Sequence, residues 1–133
     1  TMAKKEVKYF EEKYLKWKDA VHAGVEKVID SIEKDSRRML NQRKTKGEEQ
    51  TFTDIDKSWY HVDESKSKHV FGFEHSVAET VEFGGITVDP KSGDLIEFSS
   101  RPFFKNTIQQ YVGTKSAQII VDEVERSGLN EKI

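Results

Sequence analysis

From Lys5 to Gln42 the apolar residues Phe10, Tyr14, Trp17, Val21, Val25, Val28, Ile32 and Met39 recur at three- and four-residue steps, and lysine and glutamate fill the opposite face. No proline interrupts the stretch. The period predicts one long amphipathic helix over residues 5–42. At about 1.5 Å per residue it would run about 57 Å, longer than a small domain needs. It must therefore bend near Gly24 or project toward a neighbour. The segment Val21–Ile32 is expected in the core. Phe10, Tyr14 and Trp17 bring more aromatic surface than a short core requires, which makes them candidates for contact with another subunit.

Residues 43–53 carry almost nothing apolar and read as a mobile loop. Beyond it the period falls to two. Trp59, His61 and Asp63 alternate with Tyr60 and Val62, and Phe71 and Phe73 alternate with Val70, Gly72 and Glu74. An antiparallel hairpin over 54–75 follows, turning at Glu64–Lys68. Phe71 and Phe73 should share its buried face, with Gly72 admitting another backbone. Residues 76–83 return to helical spacing behind a Ser76 cap with Glu79 three residues on, and Gly84-Gly85 stops them. A second hairpin over 86–98 turns through Asp89-Pro90-Lys91-Ser92-Gly93-Asp94. Its Ile86, Val88, Leu95, Ile96 and Phe98 either dock on a neighbour or close the chain's own core. Pro102 can open a last helix, 102–127, with Gly113 as a break and Gly128 as the cap. The expected architecture is a single α+β domain over residues 1–133. A long N-terminal helix and a C-terminal helix pack on a small antiparallel sheet, and a hairpin projects.

Composition narrows the partners. With 133 residues there is room for one core, and 35% hydrophobic against 35% charged residues makes it a thin one that an oligomer would support. Lysine plus arginine, 22, nearly balance aspartate plus glutamate, 24, so no global field draws the chain to nucleic acid or to an anionic membrane. The run Arg43-Lys44-Thr45-Lys46 is followed closely by Glu48-Glu49 and reads as a solvated loop. No apolar run approaches the roughly 18 residues of a membrane span, and no apolar leader follows Thr1, so a soluble protein made in the cytoplasm is expected. There is no cysteine, hence no disulfide and no thiolate site.

The candidate chemistry is sparse. His22, His61, His69 and His75 sit in no recognised motif. His69 and His75 fall on one face of a strand about 20 Å apart if it is extended, too far to share a metal, and solvent-facing or capping roles are expected for all four. Serine elbow, phosphate loop and paired helical histidines are missing from the sequence. Asp54, Asp56, Asp63 and Glu64 stand among lysines and read as exposed charge. No catalytic, metal-binding or cofactor-binding residue is expected; a small metal-dependent nuclease is the least remote enzyme, because acids and a lysine are all it strictly needs.

Two short motifs remain. Val81-Glu82-Phe83-Gly84-Gly85 is followed, one hairpin later, by Arg101-Pro102-Phe103-Phe104. Physically, Phe83 would plug the core, Gly84 would supply a positive φ, Arg101 would pair with Glu82 across the hairpin base, and Pro102 would fix the start of the helix. In order and spacing the pair, together with Ile55 ahead of Ser58-Trp59, resembles the tail-completion, or head–tail joining, proteins of long-tailed bacteriophages and prophages. Gly85 stands where that family commonly has threonine, and Val77 where tyrosine is common. The resemblance implies a non-enzymatic virion protein of the neck, assembled in the host cytoplasm as a ring, commonly of six. Its partners would be further copies of itself, a head-closure or neck protein, and a tail-terminator or tail-tube protein, with DNA passing the lumen unbound. Another ring protein, such as the tail terminator or the head-closure stopper, is the alternative within phages. A binding module or the small nuclease is the alternative outside them.

Overall fold

The computed structural model describes residues 4–42, 49–88, 92–100 and 102–128. In chain order they form α1 (Lys4–Asn41), α2 (Glu49–Asp56), β1 (Trp59–Ser65), β2 (Lys68–Phe73), α3 (Ala78–Phe83), β3 (Gly85–Val88), β4 (Leu95–Phe98), α4 (Lys105–Tyr111) and α5 (Thr114–Arg126). The class is α+β, with long N-terminal and C-terminal helices, as the periodicities predict. The expected sheet is two separate antiparallel ribbons, β1–β2 and β3–β4.

The helix α1 runs unbroken through Gly24. That glycine is a contact, not a bend: a Cβ there would lie 2.8 Å from the Ile120 Cα, so α5 crosses α1 with its backbone close at this point. Lys27 pairs with Glu123 along the same seam, and the Tyr111 hydroxyl donates to Asp35. Two apolar clusters lie along the second half of α1. One gathers Leu40, Phe52, Ile55, Val81, Phe98 and Phe103; the other joins Val28, Ile32 and Tyr111 to Trp59, Phe71, Phe104 and Ile120. Each fully buried side chain such as Leu40 or Ile55 contributes about 1.5–3 kcal/mol relative to exposure.

Several expectations are corrected. Residues 49–56 are helix, where the sequence predicts a loop to 53 and a hairpin from 54, because Phe52 and Ile55, three positions apart, both reach the core when the segment coils, and the hairpin starts at Trp59; residues 43–48 lie outside the described ones. The serine at 76 does not cap α3. Its N-cap residue is Val77, whose N–H donates to His75 Nδ1 at 3.1 Å. The helix α3 turns Val81 and Glu82 inward and Phe83 outward, leaving Phe83 61% exposed. Phe98 plugs the core instead, 3% exposed with its ring 6.2 Å from Phe52, which removes it from the candidate docking residues. Ile96 is half-buried against the same cluster. Gly72 meets the Tyr60 ring of the paired strand, not another backbone. Pro102 precedes helix rather than opening it: α4 begins at Lys105, and Gly113, at φ +90°, separates it from α5. The positive φ expected of Gly84 is present at +83°, where a Cβ would come 3.0 Å from the Ser100 nitrogen.

Candidate functional site

The first half of α1 extends past the point where the core begins, at Ala20. Tyr9, Phe10, Tyr14, Leu15 and Trp17 are 45–57% exposed there. Tyr14 and Trp17 stack, ring centroids 6.3 Å apart. Tyr9 and Leu15 fall beside the stripe read from the sequence and widen it into a patch. At the β3–β4 ribbon, Ile86, Val88 and Leu95 are 55–72% exposed, while Phe98 anchors the ribbon's base in the core.

The paired motifs are structural. Glu82 is buried, and its two carboxylate oxygens accept the Phe104 N–H at 3.1 Å and the Lys105 N–H at 2.8 Å, satisfying orphan donors at the start of α4. The Ser100 hydroxyl donates to the Glu82 carbonyl, so one residue ties α3 to both sides of the turn before α4. Val81 and Phe103 are core residues, and Gly84 sits at the required reversal. Arg101, assigned to Glu82 from sequence, lies outside the described residues.

A third constellation joins residues that the sequence presents singly, three of the histidines that sit in no motif and Asp63 among its lysines. In the β1–β2 register Trp59 faces Phe73, His61 faces Phe71 and Asp63 faces His69. One face of the hairpin therefore grades from aromatic at its base to ionisable near its tip. Against it lies α1, where Val28 and Ile32 meet the aromatic end and His22 and Glu26, one helical turn apart, meet the ionisable end. His22 Nε2 lies 3.3 Å from Glu26 and 3.6 Å from Asp63; His69 Nδ1 lies 2.6 Å from Asp63 and 3.8 Å from Glu26. His61 Nε2 is buried 2.7 Å from Asp63 but off the line of a hydrogen bond, so the attraction is electrostatic. These imidazoles are largely buried rather than solvent-facing, with 25%, 17% and 8% of the His22, His61 and His69 side chains exposed. The capping role holds for His75 alone.

The electrostatics are those of two acids held together among bases. A hydrogen bond from Glu26, helped by His69 and His61, holds the carboxyl of Asp63, an exposed residue as its sequence setting predicts, down at about 2 against partial desolvation, and the same bond, with burial, lifts Glu26 above the ordinary carboxylate range. Burial pulls the His69 imidazole down, but its bonds to Asp63 and to the Lys66 carbonyl outweigh this and leave it above the usual histidine value. One donor atom from each of His22, Glu26, Asp63 and His69 lies within 4.8 Å of all the others. Nitrogen and oxygen donors so placed can coordinate a cation.

Comparison with protein-family models, with curated proteins and with solved structures finds no match to this chain.

Proposed function

We propose that the chain is a non-enzymatic assembly protein, a ring subunit joining tail to head in a long-tailed bacteriophage or prophage. The observation that carries this reading is the half-exposed aromatic patch on α1, which projects beyond the core of its own chain. Five large apolar side chains left in water on one helix are unfavourable for a lone monomer and suit a second copy or a neck partner. The apolar β3–β4 ribbon gives a second such surface, as a subunit with two neighbours in a ring needs. The motif pair resembling the tail-completion family supplies the particular assignment. A net charge of −2 suits a lumen through which DNA slides without being held.

Replacing Trp17 by Ala tests the reading. The expected result is a variant that keeps its helical content and melting behaviour but assembles at least tenfold more weakly with its own copies or a neck partner. Loss of fold with assembly intact would make the patch core and overturn the proposal.

A small metal-dependent nuclease is the second reading, and the histidine–carboxylate cluster is the observation in its favour. Cleavage of DNA that depends on a divalent metal and vanishes in Asp63→Asn would establish it over the first.

A further inference from the structure

We propose that His22, Glu26, Asp63 and His69 form a structural zinc site that staples α1 to the β1–β2 hairpin. The site stands on side-chain geometry and does not depend on the ring reading. Tetrahedral zinc with bonds of about 2.0 Å holds its donor atoms about 3.3 Å apart. The histidine–carboxylate separations bracket that value: 3.3 and 3.8 Å to one oxygen of Glu26, 3.6 Å from His22 to Asp63 Oδ2 and 2.6 Å from His69 to Asp63 Oδ1, so that Asp63 has to turn one oxygen toward the ion for the four donors to close on it.

The imidazoles are also oriented from behind. His22 Nδ1 and His69 Nε2 both face a single backbone carbonyl, that of Lys66, at 3.4 and 3.1 Å. A ring nitrogen that donates its N–H to a carbonyl leaves the other nitrogen's lone pair for a metal, the usual second contact of a zinc-bound histidine. Here it selects His22 Nε2 and His69 Nδ1, the two atoms that face the carboxylates. The Lys66 ammonium is engaged by Asp19. His61, close to both carboxylates, is a positioning residue.

Charge and donor type choose the ion. Two carboxylates, two neutral imidazoles and a divalent cation sum to zero, whereas without a cation two acids face each other. Magnesium and calcium take all-oxygen shells; an N₂O₂ set with two imidazoles fits zinc. Four protein donors close a tetrahedral site and leave no open position, so the role is structural. Access is through a cleft of about 560 Å³ that is lined by Trp17, His22, Val25 and His69 among others.

The test uses the full chain freed of metal with a chelator and titrated with zinc chloride under calorimetry. One zinc per chain is expected, with a rise in melting temperature and, for cobalt in its place, the strong visible absorption of a tetrahedral site. His69→Ala and Glu26→Gln should each weaken binding roughly a hundredfold or more, His61→Asn about tenfold, and His75→Ala not at all. X-ray absorption of the zinc-loaded wild type, which no folding defect in a variant can confuse, should count two imidazoles. Absence of saturable binding, unchanged affinity in His22→Gln/His69→Ala, or a shell without two imidazoles would each overturn the site.

Discussion

Glu82 shows how much one buried carboxylate can organise. It reaches from α3 to the two backbone N–H groups that open α4, and a single carboxylate that is itself 7% exposed holds both. Glu82→Gln should therefore cost roughly 1–3 kcal/mol in urea unfolding, through loss of charge-assisted hydrogen bonds. Phe83→Ser, at the next residue, should cost less than about 0.5 kcal/mol, because that ring already stands in solvent. If the two costs came out reversed, the inward face of α3 would be misassigned. Tyr111 gives a pH signature of the α1–α4 contact. Burial, with a hydrogen bond and charge from Asp35, pushes its hydroxyl up to about 12 from the ordinary 10.0. A folded-state value above the unfolded one means stability that is full below pH 10 and is lost as pH rises through about 12. The stability advantage of wild type over Tyr111→Phe should shrink across that interval, as measured by denaturant titration at stepped pH; a constant gap would place the hydroxyl in water.

The elements differ in how far their sequences announce them. The α1 stripe, the period of two at Trp59–Asp63 and Val70–Phe73, and the Gly84 and Gly113 breaks are local signals, and each yields the element expected. Residues 49–53 mislead because Phe52 and Ile55 are the only apolar side chains in α2, too few for a period, and it is Leu40 and Phe98 from distant segments that make the helix worth forming. Phe83 misleads in the same way: an aromatic beside a turn glycine reads as a core plug until Phe98 is seen in that place. Half of the histidine cluster was within reach. A turn centred on Lys66 already sets Asp63 opposite His69. That His22 and Glu26 cross the same face depends on how α1 packs, which no local pattern states. The β3–β4 ribbon carries its own prediction. The ribbon leaves Ile86, Val88 and Leu95 exposed while Phe98 holds the base, so removing Val88–Leu95 and bridging with glycine should leave a folded monomer that no longer assembles, by light scattering and circular dichroism. Rings formed by the shortened chain would remove the ribbon from the assembly surface.

At the scale of the whole molecule, a thin core serves a helix longer than that core can cover. The second half of α1 collects α5, the β1–β2 hairpin and the apolar clusters, and its first half is left with half-exposed aromatics that no element among the described residues buries. A zinc staple where His22 and Glu26 meet the hairpin would stiffen the junction between these halves, and so hold the projecting patch at a fixed angle. That division of one helix into an anchored half and a presented half is the physical basis for reading the protein as a ring subunit. Electron microscopy of the purified full chain, alone and with isolated tail tubes, tests this most directly. Closed rings with a lumen wide enough for duplex DNA, seated on one end of the tube, are expected, and none with Trp17→Ala. Wild-type chains that stay monomeric at every concentration and leave the tube ends bare would contradict it.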